Sequence, residues 1–586
     1  MKTLLPIILT CCVLCRPSLA ATILVEAEGF AQTGGWLIDQ QSIAAMGSPY
    51  LIAHGLGTPV ADATTTVAVP EAGRYRVFVR TKDWVARWKA PGAPGKFQVL
   101  IGGKPLAETF GVKGDDWIWH DGGTVELQQG DVALALHDLT GFEGRCDAVV
   151  LTSDPDFAPP NELSALCAFR REKLGLSDAP ADQGEFDLVV VGGGVAGCCA
   201  AVSAARLGLD VALIQDRPVL GGNSSSEVRV WIQGLIRQEP YPVLGEIVEE
   251  MNTKPDASPG PDASIYGDDV KLKVVRAEKR LALFLNEHVD RVELEDGRIR
   301  AVVAANIATG RRSRFAGRWF VDATGDGAVG FLAGADYEVT KTGHMGASNL
   351  WAPVDTGEAV AFPRCPWALD LTDKPFPTKL ADLGVWFWES GFDFDTIHDA
   401  EAIRDHNLRA MYGAWDCLKN VKKLYPNHRI VWAAYISGRR ESRRLLGDVI
   451  LGKDDILSGR EFADGCVGST WSIDLHLPDP AFEAAAPDNP FISEAKYTQF
   501  RKKPYPIPYR CFYSRNVPNL MMAGRNISVT HEALGTTRVM GTNGMMGEAL
   551  GRAALLCKKH NADPRDVYEK HLEEFKQLLE QSTKQR

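Results

Sequence analysis

The sequence predicts a multidomain protein in which an all-β sandwich precedes an α/β, Rossmann-type domain. Three observations predict this. Residues 22–153 contain short alternating strands and no convincing long helix. An aliphatic strand at 186–191 runs directly into a Gly-x-Gly-x-x-Gly turn, and strand–helix–strand patterning continues from there. At 586 residues the chain is too long for a single core.

The N-terminal region is patterned with period two. Residues 73–80 alternate after a Pro-Glu-Ala-Gly turn, and similar runs occur at 96–101, 124–127, 132–136 and 147–152. The opening Val25-Glu26-Ala27-Glu28 and the closing 146–151 resemble the jelly-roll superfamily of carbohydrate-binding modules. The resemblance implies a jelly-roll-like domain over 21–153. It also makes Glu26 and Glu28 candidates for a structural calcium ion.

The same region holds five tryptophans, Trp36, Trp84, Trp88, Trp117 and Trp119. Exposed tryptophans stack on sugar rings, so a glycan-binding surface is one interpretation. Burial in the core or at a domain interface is the other, and the sequence leaves both open.

The glycine-rich turn is the most specific motif. Gly192 permits the tight turn, Gly194 lets the backbone approach a pyrophosphate, and Gly197 lets helix and strand pack closely. The phosphates then lie at the helix N-terminus, where free N–H groups favour negative charge. The second strand ends at Gln215-Asp216, where an acid normally binds the ribose hydroxyls.

Several segments together resemble the FAD-dependent oxidoreductases of the glutathione-reductase-like superfamily, and more narrowly the flavin portion of proteins like heterodisulfide reductase. They are residues 191–197, 220–225, 320–327, 438–447 and 519–551. The resemblance implies bound FAD, with Gly524-Arg525 standing where a Gly-Asp pair is usual. The cofactor contacts that we expect are Gly192, Gly194, Val195, Ala196, Gly197, Gln215, Asp216, Gly221, Gly222, Asn223, Ser224, Val289, Ala323, Thr324, Gly325, Gly524, Arg525, Asn543, Gly544 and Met545.

The expected domain organisation follows from these patterns and from the resemblance, which implies a split, Rossmann-type FAD domain with a substrate domain inserted into it. Residues 1–20 form a signal peptide, 21–153 the sandwich, and 154–184 a linker with a short helical segment. Residues 185–338 form the first part of the FAD domain, 339–515 the substrate domain, and 516–586 the second FAD part with a C-terminal helix.

Composition and charge argue against several classes of protein. The net charge of −11 argues against a nucleic-acid surface, and no apolar run is long enough for a transmembrane segment. Outside the predicted signal peptide nine cysteines remain and none of them shows CxxC spacing, so we expect flavin without an iron–sulfur cluster. The signal predicts export to the periplasm or medium, with a lipoprotein the less favoured alternative.

The chemistry is expected near the C-terminal glycine-rich segment. Thr542-Asn543 opens a helix whose N-terminus would face the flavin, or else simply caps that helix. His531 is the predicted catalytic base, because neutral imidazole accepts a hydroxyl proton during hydride transfer. Arg538 would bind flavin or substrate, or pair with an acid.

Two further groups are candidates for substrate contact. On a helix, Arg440 and Arg444 would share one face and clamp an anion, or form a salt-bridged helix start. Asp474 and His476 alternate along a strand and so lie on one face. Arg510 is a similar candidate.

The predicted function is oxidation of a secondary alcohol of a sugar or glycoside, with hydride transfer to flavin N5. One alternative is a desaturase or ene-reductase of a carboxylate substrate, and another is a glycan-binding protein with a degenerate flavin fold. The substrate would be a small molecule or glycan. The electron acceptor, covalent attachment of flavin and oligomeric state stay open.

Overall fold

The computed structural model describes residues 20–177, 179–498 and 504–584. The predicted signal peptide therefore lies outside the described residues, apart from Ala20.

The N-terminal region folds as two antiparallel sheets packed around one apolar core. The first sheet has the order β2-β3-β10-β5-β8, with β1 beside β10, and the second has the order β4-β9-β6-β7. The strands are β1 Thr22–Glu26, β2 Leu37–Asp39, β3 Tyr50–Ala53, β4 Ala63–Val69, β5 Gly73–Thr81, β6 Phe97–Ile101, β7 Lys104–Pro105, β8 Ile118–Leu127, β9 Gly130–Asp138 and β10 Gly144–Thr152. A one-turn helix, α1 Ile43–Met46, lies between β2 and β3. Both sheets contribute to the core, as Val77 and Val149 from one and Val99 and Leu136 from the other show.

All five tryptophans of this region are engaged with protein. Trp36 lies in the sandwich core, and Trp84 and Trp117 pack in clusters shared with later parts of the chain. The Trp119 indole donates to the Pro160 carbonyl (2.9 Å), and Trp88 lies under the Arg409 guanidinium. Burial of Trp36, Trp84 and Trp117 matches the core-or-interface interpretation, whereas Trp88 and Trp119 are half-buried.

The segment between the sandwich and the next sheet contains helix α2, Leu163–Lys173, whose N-cap Glu162 accepts from the Ser164 and Ala165 amides. Leu166 and Phe169 of α2 pack on the outer face of the sandwich. Arg170 forms ion pairs with Glu26 and Asp147. This helix is therefore attached to the sandwich.

A seven-stranded sheet follows, with the order β13-β12-β11-β16-β15-β14 and β28 beside β16. Its strands are β11 Ala181–Val191, β12 Val211–Gln215, β13 Leu281–Leu285, β14 Glu287–Glu295, β15 Arg298–Asn306, β16 Arg312–Asp322 and β28 Leu520–Met522. The pairs β11–β12, β12–β13, β11–β16 and β16–β28 are parallel. This is the Rossmann-type arrangement that the glycine motif predicts.

The helices associated with this sheet are α3 Val195–Arg206, α4 Glu246–Met251, α5 Asp268–Arg276, α6 Ala328–Leu332, α9 His531–Thr537, α10 Met540–His560 and α11 Pro564–Leu579. Helices α3 and α10 pack very closely, since a Cβ at Gly547 would lie 2.1 Å from the Ala196 carbonyl oxygen. Helix α10 begins two residues before the predicted start at Thr542.

The inserted region carries short strands around one long helix, α7 Ala400–Asp416, which continues into a π-helical turn at Cys417–Val421. Its other elements are β17 Tyr337–Glu338, β18 Ala347–Ser348, β19 Trp351–Asp355, β20 Glu389–Ser390, β21 His428–Ala433, β22 Gly438–Arg439, β23 Arg444–Leu445, α8 Lys453–Ser458, β24 Gly465–Ser469, β25 Ile473–Pro478, β26 Ser493–Thr498 and β27 Tyr505–Pro508.

The sandwich is joined to helix α7 by a buried network of charged groups. Arg145 donates to both oxygens of Asp405 (3.0 and 3.1 Å) and to Glu401 (2.6 Å). Arg404 pairs in return with Asp39 of the sandwich. Because these groups are almost fully buried, the two regions are held in a fixed relation.

None of the helices in the described residues combines the length and apolar character that a membrane crossing needs. The nine cysteines in this part of the chain are unpaired, and burial raises the pKa of the Cys198 thiol to about 12.

Candidate functional site

One cavity of about 1200 Å³ passes between the sandwich, the seven-stranded sheet and the inserted region. Pockets for drug-sized ligands occupy roughly 300–1,000 Å³, so this one has room for a dinucleotide together with a substrate. Most of the cofactor residues expected from the sequence line it.

The glycine turn forms the cavity floor as its spacing predicts. Gly192 has φ +105°, and a Cβ there would lie 2.3 Å from the Ala323 carbonyl oxygen. A Cβ at Gly197 would lie 1.8 Å from the Gly192 carbonyl oxygen, so this glycine serves helix packing and does not line the cavity. Gly194 forms a parallel bridge with Gly221, which brings the two glycine loops together at the start of α3.

A positive wall faces these loops. Asp326 is paired with Arg525 and Arg439, each at 2.6 Å, and all three residues line the cavity. Burial alone would raise the pKa of Asp326, but the two guanidinium groups hold it well below its usual range. Two arginines on one carboxylate leave net positive charge here, and Arg525 stands where the family usually has an acid.

At the end of β12 the two candidate ribose ligands differ. The Gln215 carbonyl oxygen accepts from the Gly193 amide (2.7 Å), and its amide donates to the Val219 carbonyl, so this side chain holds the glycine turn. Asp216 keeps a half-exposed carboxylate that lines the cavity, 3.9 Å from the ring of His288. Val289 lines the same end. Asp216 is therefore the acid available for ribose.

The first turn of α10 lines the far end of the cavity. Asn543 is 8% exposed, and its Oδ1 has no hydrogen-bond partner, while its amide donates to the Arg538 carbonyl (2.9 Å). Gly544 and Met545, also expected to contact the cofactor, are absent from the lining. The reason is helical periodicity: Gly544 faces Val195 and Val248. Ser224 is likewise turned away and donates to the Gly221 carbonyl.

Sequence comparison decides the family. The model of the FAD dependent oxidoreductase family matches residues 187–380 and 386–579. The chain belongs to this family. It is an FAD-dependent oxidoreductase with an additional N-terminal domain.

Other comparisons are less informative. No curated protein matches the chain. A myxobacterial FAD-dependent chondrochloren halogenase is 14% identical, over 67% of this chain and 79% of that one, with a TM-score of 0.30. A Bacillus halodurans glycerol-3-phosphate dehydrogenase complexed with FAD is 14% identical, over 32% and 43%, at 0.21. A family 35 carbohydrate-binding module from Clostridium thermocellum is 17% identical, over 22% and 97%, at 0.18. TM-scores this low carry no argument about function.

The residues present fit FAD. The unpartnered Asn543 Oδ1 is an acceptor of the kind that the isoalloxazine N3–H requires, and the glycine loops leave no side chain where a pyrophosphate would lie. Arg439 and Arg525 supply positive charge beside those loops, and Asp216 supplies the ribose acceptor.

His531, the predicted base, does not line the cavity. Its Nδ1 lies 2.8 Å from Glu441 Oε2, and Glu441 also accepts from Arg444 (2.6 Å) and Thr340 (2.8 Å). These bonds hold the imidazole, whose side chain is 20% exposed, in a network with Glu441, which lies next to Arg440 in sequence.

A different histidine lies in the cavity wall. His476 Nδ1 is 2.6 Å from Glu389 Oε1, and Glu389 also accepts from Arg440. Burial alone would raise the pKa of Glu389, but Arg440 and His476 hold it well below its usual range, so it is ionised. The ionised carboxylate makes Nδ1 the donor. His476 Nε2 is then free to accept a proton.

Asp474 stands beside this free nitrogen, as the strand alternation predicts. Its Oδ1 is 3.5 Å from His476 Nε2 and has no hydrogen-bond partner, whereas its Oδ2 accepts from Trp471 (3.1 Å) and Arg538 (3.3 Å). His476 Nε2 and Asp474 Oδ1 are therefore neighbouring acceptors in two residues that line the cavity. Trp386 and Tyr497 line the same part and are 39% and 56% exposed.

The arginine cluster is not the helix expected from its spacing. Gly438–Arg439 pairs with β18 and Arg444–Leu445 with β17, so the chain is extended and turned there. Arg440 consequently faces the cavity, while Arg444 is buried and donates to Glu441 and to the Val529 carbonyl. Arg510 is also outside the cavity lining, because it is paired with Asp464 (2.8 Å) and stacked on Tyr568.

Sequence reasoning missed Glu389 and Trp386, which belong to no motif. The three-stranded sheet β20-β18-β22 pairs Glu389 with Ser348, which is 41 residues away in sequence, and places Gly438 on the other side of Ser348. The only local signal was the tryptophan-rich run Trp386-Phe387-Trp388 before this glutamate.

Of the two acids suggested for calcium, Glu26 is paired with an arginine, whereas the buried Glu28 has an oxygen without a hydrogen-bond partner. Glu26 accepts from Arg170 Nε (2.8 Å), and Asp147 nearby accepts from both Arg170 and Arg80. Burial raises the pKa of Glu26 to about 7. Calcium binding at this position stays a prediction. In the structure, the positive charge beside these carboxylates comes from the guanidinium groups of Arg170 and Arg80.

Proposed function

We propose that the protein oxidises a secondary alcohol of an uncharged polyhydroxylated substrate, a sugar or glycoside, with His476 as the base. The observation that carries the proposal is the pairing of His476 and Asp474 in the cavity lining, where His476 Nε2 lies 3.5 Å from an Asp474 oxygen that has no hydrogen-bond partner. Neighbouring hydroxyl groups of a sugar are donors with matching spacing.

Each of these residues has its own role in the proposed oxidation. The reacting hydroxyl donates to His476 Nε2, which takes its proton, while Glu389 fixes the ring and stabilises the imidazolium that forms. An adjacent hydroxyl donates to Asp474 Oδ1 and sets the orientation of the sugar ring. When bound, FAD supplies the two-electron acceptor for the reaction.

The charge balance of the site favours a neutral substrate. Arg440 is paired with Glu389 and Arg538 with Asp474, so each guanidinium already has its carboxylate. An anionic substrate would have to displace one of them. This disfavours a desaturase or ene-reductase that binds a carboxylate at these arginines.

Aromatic side chains support a sugar ring in this place. Trp386 packs edge-on against His476 with ring centroids 4.9 Å apart, and its exposed area lies in the cavity with that of Tyr497. Aromatic faces beside acceptors are typical of sites that hold the apolar face of a sugar while reading its hydroxyl groups.

The proposal is tested by anaerobic titration of the flavin-loaded protein with a panel of sugars and glycosides and a panel of enoates and other carboxylates. Bleaching of the flavin absorption by a sugar, and its loss in the His476→Gln variant, supports the proposal. Bleaching by carboxylates alone contradicts it.

Three finer assignments are also proposals. We infer export from the segment at 1–20, which a mature N-terminus at Ala21 in the exported fraction would support. The jelly-roll relation of the sandwich to carbohydrate-binding modules rests on the motif at 25–28. The relation to the flavin portion of proteins like heterodisulfide reductase rests on the motif order at 191–551.

A further inference from the structure

The sandwich contributes part of the wall of the cofactor cavity. Residues of β1, the turn at 27–29, the segment around α1 and the helix α2 line the same cavity as the glycine loops. A domain whose only role is to bind a glycan does not need to line the cofactor cavity.

The sandwich first contacts the seven-stranded sheet at Gly29. A Cβ there would lie 3.2 Å from the Ala308 carbonyl oxygen, in the hairpin between β15 and β16. The Ile307 amide in this hairpin donates to the Asn286 carbonyl (2.9 Å), three residues before Val289. The sandwich therefore meets the sheet at the end of the cavity where the family resemblance places adenine.

The second connection is Gln41. Its amide donates to the Tyr435 carbonyl (2.9 Å), and its carbonyl accepts from the Ser437 amide (2.7 Å). The Tyr435 hydroxyl donates to Glu227 (3.2 Å), which is paired with Arg217, the residue after Asp216. This chain of contacts links residues 39–41 of the sandwich to the neighbourhood of Asp216, the acid expected to bind the ribose.

Gln40 lies between these two connections. It is 5% exposed and lines the cavity, and within the described residues its side-chain amide makes no hydrogen bond or ion pair. A buried amide is costly unless it finds partners. A glutamine amide offers one donor and one acceptor side by side, the pattern that matches the edge of adenine.

We propose that the sandwich completes the FAD site by closing its adenosine end, with the Gln40 amide as a contact to the adenosine moiety. The inference depends on the bound cofactor and not on the proposed alcohol oxidation. Its failure is therefore separable from failure of the substrate proposal.

The experiment measures dissociation constants of the apoprotein for FAD and for FMN, which lacks adenosine, by flavin fluorescence. The variant is Gln40→Ala, and the matched control is Gln128→Ala, an exposed glutamine on the same sandwich. We expect FAD affinity to fall about tenfold in Gln40→Ala, as for the loss of one to two buried hydrogen bonds, with FMN affinity and the apoprotein melting temperature unchanged.

An unchanged dissociation constant for FAD in Gln40→Ala overturns the proposal. An equal loss for FAD and FMN also overturns it, because the effect would then be on the fold or on the flavin half of the site. An equal loss of FAD affinity in Gln128→Ala would also overturn the proposal, because the effect would then not be specific to Gln40.

Discussion

Replacing Glu389 by glutamine removes one charge from the centre of the substrate site and leaves its shape. Glu389 is fully buried and accepts from His476, Arg440 and Ser348. Glutamine can still accept at one oxygen, but its amide offers a donor where the carboxylate offered a second acceptor. Nδ1 of His476 can then become the acceptor and Nε2 the protonated nitrogen, which is unable to take a proton from substrate.

The size of the effect follows from these contacts. Loss of a positioned base slows the reaction by about 100- to 10,000-fold. The cost to stability is smaller, about 1–3 kcal/mol, because Arg440 keeps its bonds to Ser348 (3.0 Å) and to the Trp386 carbonyl (2.7 Å).

The assay is stopped-flow reduction of the bound flavin under anaerobic conditions, with the FAD dissociation constant and melting temperature measured on the same protein. The exposed Glu483→Gln on the inserted region is the control. A Glu389→Gln protein that holds FAD but is reduced at the wild-type rate would refute the assignment of His476 as a base oriented by Glu389.

Three further predictions follow from the fold. Glu548 is buried, and burial raises its pKa to about 7. Between about pH 4.5 and 7 the folded state therefore keeps a proton that the unfolded state releases. Over this range the free energy of unfolding of wild type, measured in urea, should fall by about 3 kcal/mol relative to that of Glu548→Gln. An equal pH dependence in both proteins would contradict this. Gly197→Ala should abolish FAD binding, because its Cβ would lie 1.8 Å from a carbonyl oxygen, whereas Gly73→Ala has open space and should bind normally in a fluorescence titration. Arg145→Met should cost about 3 kcal/mol in calorimetry, because Asp405 and Glu401 lose a buried guanidinium and keep only Arg404 and Lys82 as cationic partners. Arg76→Met, at an exposed pair, should leave the melting temperature nearly unchanged, and similar melting by both would argue against the interface.

The sequence predicted those parts of the site that depend on local structure. The spacing of Gly192, Gly194 and Gly197 defines a turn whose geometry is set by its own residues. The alternation of Asp474 and His476 along β25 likewise follows from the strand period, and both side chains lie in the cavity wall.

The parts that depend on long-range pairing were not predictable. Residues 438–445 have helical charge spacing, but pairing with β17 and β18 extends the chain and separates Arg440 from Arg444. Glu389 and His476 lie on different sheets and meet only through their side chains. His531 was predicted from its motif context, whereas in the structure its ring is bonded to Glu441 and does not line the cavity.

The most direct test compares anaerobic flavin reduction in His476→Gln and His531→Gln, using the sugar that reduces wild type fastest. We expect His476→Gln to be reduced about 100- to 10,000-fold more slowly at unchanged FAD affinity, and His531→Gln to lose far less. The opposite order, with His476→Gln reduced normally and His531→Gln inactive, would contradict the proposal that His476 is the base of this FAD-dependent oxidoreductase.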